Sequence, residues 1–147
     1  MSPTLVRILV VEDFIPFRSF LTSLLQQRLE WQVVAEALDG LEAVQKAKEL
    51  SPDLILLDIG LPNLNGIEAA RQIREIAPKS RILFVSQESS TDVVQEALAL
   101  GAHGYVLKLN AASELSAAVE SVLKGKRFVS SGLNGLGSSG AEDLDKI

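Results

Sequence analysis

The chain has 147 residues, 47% of them apolar, which suits a single soluble domain with a sizeable core. It contains no cysteine and one histidine, so disulfides, thiolate catalysis and Cys-based zinc sites are excluded, and a Ser-His triad is hard to build. A net charge of −5 argues against non-specific nucleic-acid binding by this chain. Because there is no signal peptide and no apolar run near ~20 residues, we expect a cytoplasmic protein without membrane contact.

Strand-length apolar runs alternate five times with segments of helical periodicity. The runs are nearly continuous in apolar residues, which is typical of strands buried on both faces of a sheet. They cover residues 5–11, 31–37, 53–58, 81–86 and 104–107. Alternating strands and helices indicate a parallel sheet with right-handed crossovers and helices on both faces. We therefore predict an α/β fold with a doubly wound, five-stranded parallel sheet.

The last part of the chain differs in composition from the rest. Residues 130–147 contain four glycines and four serines, with a short acidic end. Such a composition is typical of flexible linkers and termini. We predict a folded domain over residues 1–128 and a flexible Gly/Ser-rich tail over residues 129–147, which ends the chain or leads to something further.

Polar and charged side chains stand where four of the predicted strands end. Glu12 and Asp13 follow the first strand, Asp58 ends the third, Ser86 ends the fourth, and Lys108 follows the fifth. The carboxyl ends of parallel strands lie at one edge of a sheet, where ligands of such folds bind. We therefore expect these five side chains to converge on one site.

Three converging carboxylates need a positive partner. At separations of roughly 4 to 6 Å they repel by several kcal/mol per pair at an effective dielectric near 20. Lys108 supplies one positive charge, and Mg²⁺, which prefers carboxylate, carbonyl and water oxygens, would supply the rest. Asp13 and Asp58 could bind it directly, Glu12 through a water, and Gly60 through its backbone carbonyl. Because no glycine-rich phosphate loop follows the first strand, an aspartate is the candidate group to react with phosphorus.

Four stretches, in this order and spacing, resemble the receiver domain of two-component response regulators, the CheY-like family. They are ILVVED (8–13), DLILLDIGLPNLNGIEA (53–69), ILFVS (82–86) and GAHGYVLK (101–108). The resemblance covers about residues 5–128. The stretches LKLNAASEL and KGKRFVSSGL are most similar to the NarL/FixJ-type subfamily. The resemblance implies a flavodoxin-like (βα)5 domain with strand order 2-1-3-4-5.

The resemblance also implies roles for the residues at the strand ends. Asp58 matches the phosphoacceptor. Glu12, Asp13 and Asp58, together with the backbone carbonyl of Gly60, match the Mg²⁺ site. Lys108 matches the lysine that pairs with the phosphoryl oxygens.

Two further residues match the family's conformational switch. Ser86 is the switch hydroxyl that binds the phosphoryl group, and Tyr105 is the switch aromatic that rotates inward when Ser86 moves. The implied function is phosphorelay signal transduction. A sensor histidine kinase phosphorylates the aspartate, and the changed surface then meets a downstream partner, an output domain or a second copy of the chain. The protein would catalyse only its own phosphorylation and dephosphorylation.

Most receivers carry a proline after the lysine, but this chain has Leu109 at that position, so we do not expect a cis peptide bond between Lys108 and Leu109.

Three other interpretations of the sequence are possible. The chain could be the receiver fragment of a DNA-binding transcriptional regulator whose helix-turn-helix output domain is missing. It could be a phosphatase similar to the haloacid dehalogenase family, but residues 12–16 read EDFIP rather than Asp-x-Asp-x-Thr. It could also be a degenerate receiver that binds proteins without phosphorylation, which predicts loss of a site residue, and none is lost.

Overall fold

The computed structural model describes residues 4–133, and they form one six-stranded sheet in the order β2-β1-β3-β4-β5-β6. The strands are β1 (Val6–Val11), β2 (Trp31–Ala37), β3 (Leu54–Leu57), β4 (Arg81–Ser86), β5 (Gly104–Leu107) and β6 (Phe128–Val129). Every neighbouring pair is parallel. The predicted α/β fold and strand order 2-1-3-4-5 are confirmed, and β6 is added beside β5.

Five helices connect and cover the strands. They are α1 (Ile15–Leu25), α2 (Gly40–Leu50), α3 (Gly66–Ile76), α4 (Thr91–Ala99) and α5 (Ala111–Leu123). The side chains of Asp39, Asn65 and Ser90 cap α2, α3 and α4 by accepting a backbone N–H three residues on. Pro16 lies in the first turn of α1, where its missing N–H costs nothing. None of these helices is long and apolar enough to cross a bilayer.

The sheet separates two hydrophobic cores. Side chains of α2, α3 and α4 pack on one face, and those of α1 and α5 pack on the other. Along β1, Leu9 and Val11 enter the first core while Ile8 and Val10 enter the second, as the alternation of a strand requires. Burial on both faces explains why the strands are continuous apolar runs. Because neighbouring strands are all parallel, the four strand ends predicted to carry functional groups lie at one edge of the sheet.

The folded domain extends beyond residue 128, into the segment that was predicted to be a tail. Val129 pairs with Tyr105, and the buried Ser130 accepts the N–H of Leu107 at 2.9 Å and donates to Glu114 Oε1 at 2.5 Å. Leu133 completes a core cluster. Residues 129–133 therefore pack against the sheet instead of being a flexible tail, because buried hydrogen bonds hold a strand too short to leave a pattern in the sequence. The rest of the predicted tail, 134–147, lies outside the described residues.

We expect Ser130→Ala to lower the free energy of unfolding by about 1–3 kcal/mol, because the Leu107 N–H and the Glu114 carboxylate then lose a buried partner. Urea denaturation measures the change. Ser131→Ala is the matched control, since its exposed hydroxyl also donates to Glu114 and water can replace it. Equal stability of the two variants would contradict the structural role of Ser130.

Candidate functional site

The strand ends enclose one acidic cavity of about 330 Å³. Carboxylate oxygens of Glu12, Asp13 and Asp58 lie within 4.8 Å of one another. The predicted site residues that line the cavity are Glu12, Asp13, Asp58, Gly60, Ser86 and Lys108. The structure therefore brings together every side chain that the strand ends were expected to supply.

The backbone after β1 holds Glu12 inside and leaves Asp13 exposed. The N–H of Glu12 continues the sheet by donating to the Ala37 carbonyl at 3.1 Å. Its Oε2 accepts the N–H of Phe14 at 3.0 Å, and its carbonyl accepts Arg18 Nη1 at 3.1 Å. These contacts fix the turn between β1 and α1, and with it the position of both acidic residues.

Asp58 is fixed by the close approach of two backbone segments. Its N–H donates to the carbonyl of Val11, and its Oδ1 accepts the N–H of Ile59 at 2.7 Å. A Cβ atom at Gly66 would lie 1.9 Å from the carbonyl oxygen of Asp58. Only glycine therefore lets α3 begin directly behind this aspartate.

Lys108 is the cation of the cavity. Its Nζ lies 2.8 Å from Glu12 Oε1 and 3.1 Å from Asp58 Oδ2, and 4.9 Å from the ring centroid of Phe17. Burial lowers the pKa of Lys108, but its contacts with Glu12 and Asp58 outweigh burial, so the pKa is raised and the ammonium stays charged.

Glu12 is only partly compensated by this ammonium. Burial raises its pKa; the Lys108 ammonium and the Phe14 N–H lower it, Asp58 raises it, and the net direction is upward. Glu12 Oε1 is ion-paired with Lys108 Nζ at 2.8 Å and, within residues 4–133, makes no other polar contact of hydrogen-bond quality. The site thus holds three carboxylates against one ammonium. That donor set fits a hard divalent cation such as Mg²⁺.

Ser86 and Tyr105 meet the same loop after β4. Ser86 Oγ accepts the N–H of Glu88 at 3.2 Å, and the buried Tyr105 hydroxyl donates to the Glu88 carbonyl at 2.6 Å. Tyr105 is thus already inside the domain and does not line the acidic cavity. Its burial raises its pKa to about 12; the nearby Ser86 hydroxyl lowers it, whereas Glu88 and Asp58 add to the rise.

The structure adds two residues that sequence reasoning did not assign to the site. They are Phe17, whose ring lies against Lys108, and Arg18, which donates to the Glu12 carbonyl. Their contacts depend on how the first turn of α1 faces the ends of β1 and β5, which no local pattern reveals. No cis peptide bond occurs between residues 4 and 133.

Tyr105 is the only tyrosine, so its ionisation can be followed by ultraviolet absorbance. We expect the folded protein to titrate near pH 12, and the urea-unfolded chain near 10. Since the folded pKa is the higher one, the stabilisation from the neutral phenol is complete below pH 10 and is lost as the pH rises toward about 12. A folded midpoint near 10 would show that Tyr105 is not buried as described.

Comparison with known proteins agrees with this geometry. Residues 8–120 match the family described as the response regulator receiver domain. The chain is 39% identical to the transcriptional regulatory protein LnrK of Bacillus subtilis, over 82% of this chain and 55% of that protein. It is 35% identical to the chemotaxis protein CheY of Thermotoga maritima, over 80% and 98%. A two-component response regulator of the LuxR family from Aurantimonas sp. SI85-9A1 superposes with a TM-score of 0.84 at 32% identity, covering 97% and 99% of the two chains.

These matches differ in how much of the relative they cover. The chain spans about half the length of LnrK but nearly all of the CheY protein. The family match itself extends over most of the chain. The chain therefore belongs to the response regulator receiver domain family.

Proposed function

We propose that a partner histidine kinase phosphorylates Asp58 in a Mg²⁺-dependent reaction, and that the acyl phosphate switches a protein-interaction face. The observation that carries this proposal is the meeting of Glu12, Asp13, Asp58 and Lys108 in one cavity. An aspartate carboxylate beside a cation site and a fixed ammonium suits nucleophilic attack on phosphorus. The chain would act in the cytoplasm and catalyse only its own phosphorylation and dephosphorylation.

Three carboxylates and one carbonyl would hold the metal. Asp13, Asp58 and the carbonyl of Gly60 are the candidate direct ligands, and Glu12 would act through a water. When bound, the ion supplies positive charge that stabilises the transferring phosphoryl group. Lys108 supplies the protein's own positive charge, 3.1 Å from Asp58 Oδ2.

In the transfer, an Asp58 oxygen forms a bond to phosphorus while the bond from phosphorus to the donor's imidazole nitrogen breaks. The electron pair of that bond leaves with the imidazole. Lys108 is within ion-pair distance of Asp58 before the reaction, so it can donate to the phosphoryl oxygens without a large movement. Positioned charge of this kind is the main source of catalysis in phosphoryl transfer.

Ser86 would bind the new phosphoryl group through its hydroxyl. Its oxygen accepts the N–H of Glu88, which leaves the hydroxyl proton free to donate to a phosphoryl oxygen. Because Tyr105 binds the carbonyl of the same Glu88, a movement of this loop changes the surroundings of both residues. A phosphoryl group that binds one loop arrangement better than another shifts their populations.

A second candidate concerns what the receiver controls. LnrK is named a transcriptional regulator and aligns with this chain over only 55% of its length, which favours a receiver that regulates a DNA-binding output domain. The CheY relative aligns over 98% of its length, which favours action through a separate protein partner. The reading frame of the gene after residue 147 distinguishes the two.

We expect the full chain to gain the mass of one phosphoryl group when it is incubated with acetyl phosphate and Mg²⁺, and Asp58→Ala to gain none. Intact-mass spectrometry measures both. Asp53→Ala is the matched control, because this aspartate lies at the opposite end of β3 and accepts the N–H of Arg7. Modification of Asp58→Ala, or a parent that stays unmodified with both acetyl phosphate and an active kinase, would refute the proposal.

A further inference from the structure

The ring of Phe17 faces the ammonium of Lys108 in the acidic cavity. The Nζ atom lies 4.9 Å from the ring centroid, inside the ~6 Å range in which a ring face attracts a cation. The same Nζ atom also contacts carboxylate oxygens of Glu12 and Asp58. The ammonium is therefore held by two charged partners and one uncharged partner.

Phe17 is well placed to act as a fixed support. It lies in the first turns of α1, half-buried, and packs against the core between the sheet and helices α1 and α5. The centroid of the Phe20 ring lies 5.7 Å from that of Phe17, and the Arg28–Glu120 ion pair of 3.1 Å joins the turn after α1 to α5. Lys108 immediately precedes α5 through one short turn, so ring and ammonium belong to elements that are fixed to each other.

The two kinds of partner differ in what happens when the site is loaded. Glu12 and Asp58 are candidate ligands of a divalent cation, which would compete with Lys108 for their oxygens. The attraction of the Phe17 ring does not depend on those carboxylates. The ring can therefore keep the ammonium in place when Glu12 and Asp58 bind a metal ion.

We infer that Phe17 is a positioning residue for phosphoryl transfer, which holds the Lys108 ammonium through the face of its ring. This inference rests on the proposed function. The Phe17 ring contacts Lys108, through which it would act on the reaction.

If Lys108 only packs its methylene stem against the side chain at position 17, a different result is expected. A lysine can lay its methylene stem on any apolar side chain of suitable size. Leucine at position 17 would then serve as well as phenylalanine. A cation–ring contact instead requires an aromatic face, so tyrosine would serve and leucine would fail.

The experiment compares Phe17→Leu and Phe17→Tyr with Phe20→Leu as the matched control, since Phe20 lies beside Phe17 on α1 without touching Lys108. The first readout uses the metal-free full chain. The ring current of Phe17 should displace the NMR shift of the Lys108 CεH₂ group, and Phe17→Leu should abolish this displacement.

The second readout is the rate of phosphorylation by acetyl phosphate. Phe17→Leu should lower the maximal phosphorylation rate about 2- to 5-fold while the half-saturating Mg²⁺ concentration stays unchanged, and Phe17→Tyr should restore the rate.

An unchanged Lys108 shift in Phe17→Leu would overturn the inference, and so would equal rates for Phe17→Leu and Phe20→Leu. Failure of Phe17→Tyr to restore the rate would overturn it as well. If the parent chain is not phosphorylated at all, the proposed function fails. The metal-free shift then still decides whether the ring holds the ammonium.

Discussion

Mutual repulsion of three carboxylates at one edge of the sheet is the constraint on which the site depends. Two unit charges about 4 Å apart repel by ~4 kcal/mol at an effective dielectric near 20. Glu12, Asp13 and Asp58 are nevertheless held within 4.8 Å by strands that are buried on both faces. The single ammonium of Lys108 offsets only part of the repulsion, and the raised pKa of Glu12 reflects its burial. Folding of the two cores thus maintains an arrangement that favours a cation.

The cavity is connected by hydrogen bonds to distant parts of the fold. On one side, Ser86 and Tyr105 both bind the backbone of Glu88. On the other, Ser130 accepts the N–H of Leu107, the residue before Lys108, and its own N–H donates to the Tyr105 carbonyl. The strand that carries Tyr105 is therefore bound to β6 along its outer edge.

Much of this architecture follows from patterns that a sequence can show. The bounds of β2, β4 and β5 match the predicted runs. Nearly every residue of β4 and β5 is buried, whereas the edge strand β2 is buried only at Trp31 and Ala37. Convergence of the strand ends follows from parallel pairing alone. In contrast, β6 has two residues and no periodicity, and its hold depends on the buried Ser130. The contact between Phe17 and Lys108 joins residues 91 positions apart (108 − 17), so only the packed structure reveals it. The chemical roles of the site residues stay predictions.

Calorimetric titration with Mg²⁺ tests most directly whether the uncompensated negative charge of the three carboxylates binds a divalent cation. The parent chain should bind one ion. Lys108→Ala should bind it as tightly or more tightly, because a competing positive charge within 3.1 Å of Asp58 has been removed. Lys46→Ala, on the surface of α2, is the control for loss of a distant lysine. Absence of Mg²⁺ binding by the parent, or loss of binding in Lys108→Ala, would contradict the account.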